Sequence, residues 1–291
     1  MAVKIGWFST GRDKAARDLL SSVVGGIERG ELDVEIRFVF SNRERGENRE
    51  SDKFFSLVEG FSIPLVCFSS KKFKPEQRRA GLEESKKLGR DSDNLIEWRR
   101  SYDSVVLDLI GRFDVDICVL AGYMLIVSDL MCEKLDMINL HPAPPGGPTG
   151  SWEEVIWELI RTRAKETGAM VHLVTPELDR GPAITWFTHP IRTEEFSELW
   201  EKLEEDLEKK GFEQIKKEYY RTYPLFRRIR EVEAERELPL LLLTLKAFGE
   251  GTIKIVDKKV YLRGEVCANG YQLSREVEEY LAAKLEREEA T

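Results

Sequence analysis

Asn139 and His141 stand two residues apart in Ile138-Asn139-Leu140-His141-Pro142, and Asp179 lies in Glu177-Leu178-Asp179-Arg180-Gly181-Pro182. Each follows or ends a short apolar run. An amide, an imidazole and a carboxylate are what a tetrahedral oxyanion at a carbonyl carbon requires. The amide donates a hydrogen bond to the oxygen, and an imidazolium donates to the same atom. The carboxylate favours the charged imidazole, directly or through a water, and helps carry the proton that leaves the nucleophile. Taken singly, each residue has a plainer role. Asn139 could close a strand-end turn, His141 could be a satisfied strand terminus, and Asp179 could cap the turn before Gly181. The chain has three histidines. His172 lies mid-strand and reads as packing or support for the site. His189 precedes Pro190 outside any motif and reads as structural.

The elements that position these groups follow from periodicity. Apolar segments of strand length occupy 3–8, 34–41, 64–68, 116–120 and 137–140, with amphipathic helical patterns at 14–27 and 95–112. This alternation predicts an α/β fold with a doubly wound, mostly parallel, Rossmann-like sheet. Ligands of such sheets bind at the carboxyl ends of strands near the switch point. The loops beginning at Ser9, Ser41, Ala121 and Asn139 all follow strands. Residues 142–150 are rich in proline and glycine and cannot form helix or central strand. Ser151 is placed to cap a helix, with Glu153 and Glu154 in its first turn. Further strands are expected at 170–174 and 183–188. A charged helix is expected over 193–217, interrupted at 219–223, and a second over 224–248 with Pro239 marking a break or restart. Strands at 253–256 and 259–262 flank Asp257-Lys258 as a C-terminal β-hairpin. Residues 71–90 read as a surface helix.

The composition, 42% hydrophobic and 34% charged, is that of a soluble globular chain, and no apolar run is long enough for a membrane span. The net charge of -8 argues against a general nucleic-acid binder. Cys67, Cys118, Cys132 and Cys267 are scattered, with no C-x-x-C pair, so no metal site is expected. Reduced thiols and an N-terminus that runs straight into a strand point to the cytoplasm.

Three runs together resemble the folate-dependent formyltransferases: N-L-H-P at Asn139 to Pro142, V-H-L-V-T-P-E-L-D-R-G-P at Val171 to Pro182, and V-L-A-G-Y-M at Val119 to Met124. The run Val39-Phe40-Ser41-Asn42-Arg43 is similar to the family's V-F-S-N-K. The resemblance covers most of 1–192 and, more loosely, 238–273, as one domain over 1–291 with helical insertions near 70–97 and 194–236. It implies that Asn139, His141 and Asp179 are the catalytic three. It also implies 10-formyltetrahydrofolate as formyl donor and an amine acceptor, in the family's nearest pattern glycinamide ribonucleotide of purine biosynthesis. The implied folate site is Tyr123, Met124, Leu125, Ile126 and Val127 facing Thr175 and Glu177. Leu125 replaces the family's usual arginine.

The implied phosphate site is the loop Ser9, Thr10, Gly11, Arg12 and Asp13, with Pro142 in the same substrate set. A helix N-terminus with bare amides suits an anion, and Arg12 is a good phosphate partner. Asp13 would repel phosphate unless turned away. Glu218, Glu233 and Glu235 are all candidates for the family's ribose-binding glutamate. Partners are expected to be small molecules, with a homo-oligomer left open. The insertions are compatible with solvated faces, oligomer contacts or lids. Competing functions are formyl transfer to another amine, such as an amino sugar nucleotide, and hydrolysis of 10-formyltetrahydrofolate. The hydrolase family's N-terminal regulatory domain and the C-terminal β-barrel of the methionyl-tRNA formyltransferases find no counterpart in this reading. A non-catalytic folate or nucleotide sensor would not need all three polar residues.

Overall fold

The computed structural model describes residues 2–289. Met1, Ala290 and Thr291, which belong to the expected 1–291 span, lie outside the described residues. The N-terminal half alternates as expected: β1 (Val3–Phe8), α1 (Lys14–Glu28), β2 (Val34–Ser41), α2 (Arg49–Gly60), β3 (Leu65–Cys67), α3 (Pro75–Leu88), α4 (Asp93–Ile110), β4 (Ile117–Leu120), α5 (Asp129–Lys134) and β5 (Met137–His141). There follow α6 (Trp152–Thr162), β6 (Glu166–Leu173), β7 (Ala183–Pro190), α7 (Glu194–Lys210), α8 (Phe212–Tyr219), a 3-10 turn (Tyr220–Thr222) and α9 (Pro224–Gly249). The chain ends with β8 (Ile253–Val256), β9 (Lys259–Leu262), β10 (Glu265–Val266), β11 (Tyr271–Gln272) and α10 (Ser274–Glu289).

These elements form two compact units. The first comprises 1–139, 173–181 and 245–258. Its strands pair in parallel in the order β3-β2-β1-β4-β5, which places the topological switch between β1 and β4. This is the mostly parallel α/β arrangement the periodicity predicts. Its strands are mostly apolar, Lys4 of β1 and Glu35 and Arg37 of β2 excepted, because both faces of a parallel sheet are covered. Ile5, Trp7, Phe8, Phe38, Val39 and Phe40 are buried. One side of this core gathers Phe8, Phe38, Phe40, Trp98, Tyr102, Val106 and Tyr123.

The second unit comprises 140–172, 182–244 and 259–291. Here β6 pairs antiparallel with β7, and β7 pairs parallel with β11. Its core joins Val155, Ile156, Trp157 and Ile160 of α6 to Phe196, Trp200 and Leu203 of α7, Ile215 of α8 and Phe226 and Ile229 of α9. The 194–236 region, charged as it is, therefore packs an apolar stripe into this unit.

Three expectations are corrected here. The single helix over 193–217 is two helices, broken at Gly211, whose φ of 72° takes the chain out of helix. Pro239 marks no break, and α9 runs through it. Its missing N–H costs one helical hydrogen bond, about 3 kcal/mol. The buried run Leu240, Leu241, Leu242 and Leu245 holds the helix across that position. The expected strand at 170–174 also starts earlier, at Glu166, in register with β7. At the C-terminal hairpin Asp257 and Lys258 have φ of 50° and 61°, the left-handed pair a two-residue I′ turn requires. Among the described residues no helix is long and apolar enough to cross a membrane.

Candidate active site

At the switch point the loops after β1 and β4 are tied together. Thr10 N donates to Gly122 O at 3.1 Å, and Met124 N donates to Thr10 Oγ1 at 2.9 Å. Thr10 Oγ1 donates to Asn42 Oδ1 at 2.8 Å, and Ser51 Oγ donates to Thr10 O at 3.0 Å. Ser9, Thr10 and Asn42 are buried. Gly11 has a φ of 60°, and a Cβ there would lie 2.7 Å from the Phe54 ring, so only glycine fits. The Gly11 N–H is taken by Ser9 Oγ at 3.1 Å.

Asp13 closes the start of α1. Its Oδ1 accepts from Ala16 N at 3.1 Å as an N-cap, and its Oδ2 pairs with Arg12 Nε at 3.3 Å. Lys14 pairs with Asp18 at 2.6 Å and Arg17 with Glu50 at 2.7 Å. The groups expected to hold a phosphate are thus bonded to one another, with a carboxylate seated at the helix terminus.

The side chains of 123–127 divide. Tyr123 is buried edge-on against Phe8, centroids 5.6 Å apart, and Val127 is buried with it. Burial pushes the Tyr123 hydroxyl well above its ordinary range. Leu125, half-buried, packs against the same core. Met124 is 48% exposed and Ile126 37%. The loop therefore rests on its odd-numbered side chains and offers two large apolar ones to solvent.

The 173–181 segment belongs to the same unit. Val174 N donates to Met137 O at 2.7 Å, which fixes the segment beside β5. Thr175 Oγ1 donates to Glu177 O at 3.1 Å, and Arg180 N donates to the same carbonyl at 3.3 Å. Asp179 has a φ of 53°, a left-handed conformation uncommon outside glycine. A Cβ at Gly181 would overlap Leu173 O, so the turn closes only with glycine there. Glu177 is exposed, and Leu178, 50% exposed, is a third uncovered apolar side chain. Asn139 is the third residue of β5.

His141, the last residue of β5, belongs to the second unit and is 2% exposed. Its Nε2 lies 2.9 Å from Pro148 O. A carbonyl only accepts, so Nε2 carries the proton. The His172 ring meets the His141 ring edge-on at 6.2 Å, the supporting place expected for it. Pro142 is half-buried at the start of the proline loop. That loop turns through Gly147 N to Pro144 O at 2.9 Å and ends in a capping box of Ser151 and Glu154. His189 instead faces Glu278 at 3.3 Å. Of the ribose candidates, Glu233 is fully buried with Thr167 donating to it, and Glu218 is paired with Lys210 at 2.8 Å. Glu235 lies 3.6 Å from Arg236.

One residue outside every motif bears on the first unit's loops. Asp103 sits on the apolar stripe of α4 that buries Leu95, Trp98, Tyr102, Val106 and Ile110. A lone carboxylate on such a stripe is the signal that could have found it. Among the described residues no group of three or more His, Cys, Asp or Glu side chains could hold a metal ion.

The family described as formyl transferase matches residues 13–215. The phosphoribosylglycinamide formyltransferase of Dictyostelium discoideum is 27% identical over 208 residues, covering 68% of this chain and 90% of that one. The mitochondrial formyltetrahydrofolate deformylase 1 of Arabidopsis thaliana is 30% identical over 196 residues, covering 65% of this chain and 49% of that one. Among solved structures, the phosphoribosylglycinamide formyltransferase of Coxiella burnetii in complex with CHES superposes with a TM-score of 0.60 at 21% identity, over 94% of this chain and 99% of that one. At that identity the likeness is one of fold.

Proposed function

Since the chain belongs to the formyl transferase family, we propose that it is a folate-dependent formyltransferase that moves a formyl group from 10-formyltetrahydrofolate to the amine of glycinamide ribonucleotide. On this reading it serves a cytoplasmic step of purine biosynthesis, with small molecules as partners. In the reaction the amine nitrogen bonds to the formyl carbon to give a tetrahedral intermediate, from which the bond between that carbon and N10 then breaks. One proton passes from the amine to N10. Asn139 and His141 donate to the formyl oxygen as it gains charge, and Asp179 favours the imidazolium and helps carry the amine proton.

The observation that carries the reading is in the first unit. Met124, Ile126 and Leu178 stay exposed on two loops whose neighbouring Tyr123 and Val127 are buried. Large apolar side chains held out by a rigid loop suit the flat ring of a folate. Backbone groups of the two segments, with Thr175 and Glu177, would hold its polar edge.

A second reading, formyl transfer to a different amine, is favoured by Asp13. Its carboxylate caps α1 where a phosphate would need bare amides. Both readings are tested by incubating the purified protein with 10-formyltetrahydrofolate and following tetrahydrofolate release. The arms are glycinamide ribonucleotide, a panel of phosphorylated and phosphate-free amines, and water alone. Release that depends on glycinamide ribonucleotide is expected. Release with another amine only would move the acceptor, release of formate in water alone would make the protein a hydrolase, and no release in any arm would refute formyl transfer.

A further inference from the structure

Asp103 is 3% exposed on α4, a place where an apolar side chain would pack without the cost of burying a charge. What it gains there is Ser128. Ser128 N donates to Asp103 Oδ2 at 2.5 Å. Ser128 Oγ also accepts from Met131 N at 3.4 Å, which caps α5. Ser128 closes the segment that begins at Met124, whose own N–H is held by Thr10 Oγ1 at 2.9 Å. The segment is thus fixed at both ends by buried side chains from other elements, with Met124 and Ile126 exposed between them.

We propose that Asp103 is a positioning residue for the formyl donor: by holding Ser128 it fixes the 124–128 loop in the shape that presents Met124 and Ile126 to the folate ring. This rests on the folate reading of that loop. The same carboxyl makes the positioning sensitive to pH. Burial pushes it up to about 6, against the Ser128 N–H and Arg99. Asp129 and Cys132 on α5, Tyr102 on α4 and Tyr123 in the loop also face it. A protonated carboxyl still accepts from the Ser128 N–H, but more weakly than the carboxylate does.

The test compares wild type, Asp103→Asn and Asp103→Ala, measuring kcat, the donor KM, tetrahydrofolate binding and amide exchange over 122–128. A hydrogen bond to a charged group is strong enough that Asp103→Ala should raise the donor KM about tenfold, with kcat within about threefold and faster exchange in the loop. Asp103→Asn resembles the protonated acid, so its KM should be about threefold above wild type at pH 7 and flat down to pH 5. The wild-type KM should climb to meet it over that range. This pH comparison stands even if the alanine variant fails to fold. A wild type that binds tetrahydrofolate while Asp103→Ala binds it equally well overturns the inference alone. A fall in kcat with KM unchanged, or parallel pH profiles for wild type and Asp103→Asn, also overturns it. A wild type that binds no tetrahydrofolate overturns the folate reading, and the inference with it.

Discussion

His141 holds its Nε2 proton on Pro148 O at 2.9 Å. To donate from Nε2 to a developing oxyanion, the ring must exchange that carbonyl for the substrate oxygen. On the proposed mechanism the proline loop is linked to the chemistry through that hydrogen bond. Truncating the ring removes a donor and the proton it carries and leaves Met124, Ile126 and Leu178, the side chains proposed to meet the folate, unchanged. His141→Ala should lower kcat by about 10²- to 10⁴-fold, the usual scale for a lost general acid or base. Donor affinity in a direct binding titration should stay within about threefold, because the ring is not asked to hold the folate. Near-normal turnover would remove His141 from the mechanism.

The helices α3 and α4 show how a charged segment can be structural without looking so. Nearly all of α3 is polar, and Gly81 is its one buried residue. A Cβ on Gly81 would lie 2.8 Å from Leu95 N, a backbone atom that cannot swing aside, and Ser85 and Ser92 both donate to the Gly81 carbonyl. Gly81→Ala gains about 1 kcal/mol of helix propensity but forces the helices apart, which costs about 1–3 kcal/mol. We expect a net loss of stability in denaturant titration with kcat unchanged within about twofold. A stabilised variant would show that α3 does not rest on that glycine. The strands β1, β2, β4 and β5 are legible in the sequence because buried parallel strands are largely apolar runs, and Ser151 is legible because capping is local. Gly211 and Pro239 are not, since tertiary packing decides whether a glycine ends a helix or a proline is carried within one. α2 is hidden too, its apolar content being only Phe54, Phe55, Leu57 and Val58 among polar and charged residues. At the site, the residue types of the trio are legible, while the Thr10, Asn42 and Met124 network is not, because its members lie far apart along the chain.

Across the molecule, buried carboxyls and exposed ones pull stability in opposite directions with pH. Glu278, Asp206, Glu44 and Glu50 lie below their ordinary range through their basic and hydrogen-bonding partners. They favour the fold above the unfolded carboxylate pKa and lose that contribution as pH falls, though pairs this exposed contribute little. Glu233 works the other way. Burial pushes it up to about 8, and although Arg230 lies 3.8 Å away, that guanidinium is engaged by Glu237 at 2.5 Å, so desolvation prevails. The native state then holds a proton the unfolded chain has released, and stability falls by about 1.4 kcal/mol per pH unit between the unfolded value and about 8. Near pH 6 two other groups intervene: Asp103, raised to about 6, adds to the fall, while His189, lowered by burial, opposes it. From about pH 6.5 to 8 the slope therefore belongs mainly to Glu233. Glu233→Gln keeps an acceptor for Thr167 Oγ1 without a group that ionises. Wild type should lose thermal stability steadily over that window while Glu233→Gln stays level, the two curves diverging towards pH 8. Parallel curves would mean that Glu233 is already ionised at neutrality, with Arg230 rather than burial deciding its charge.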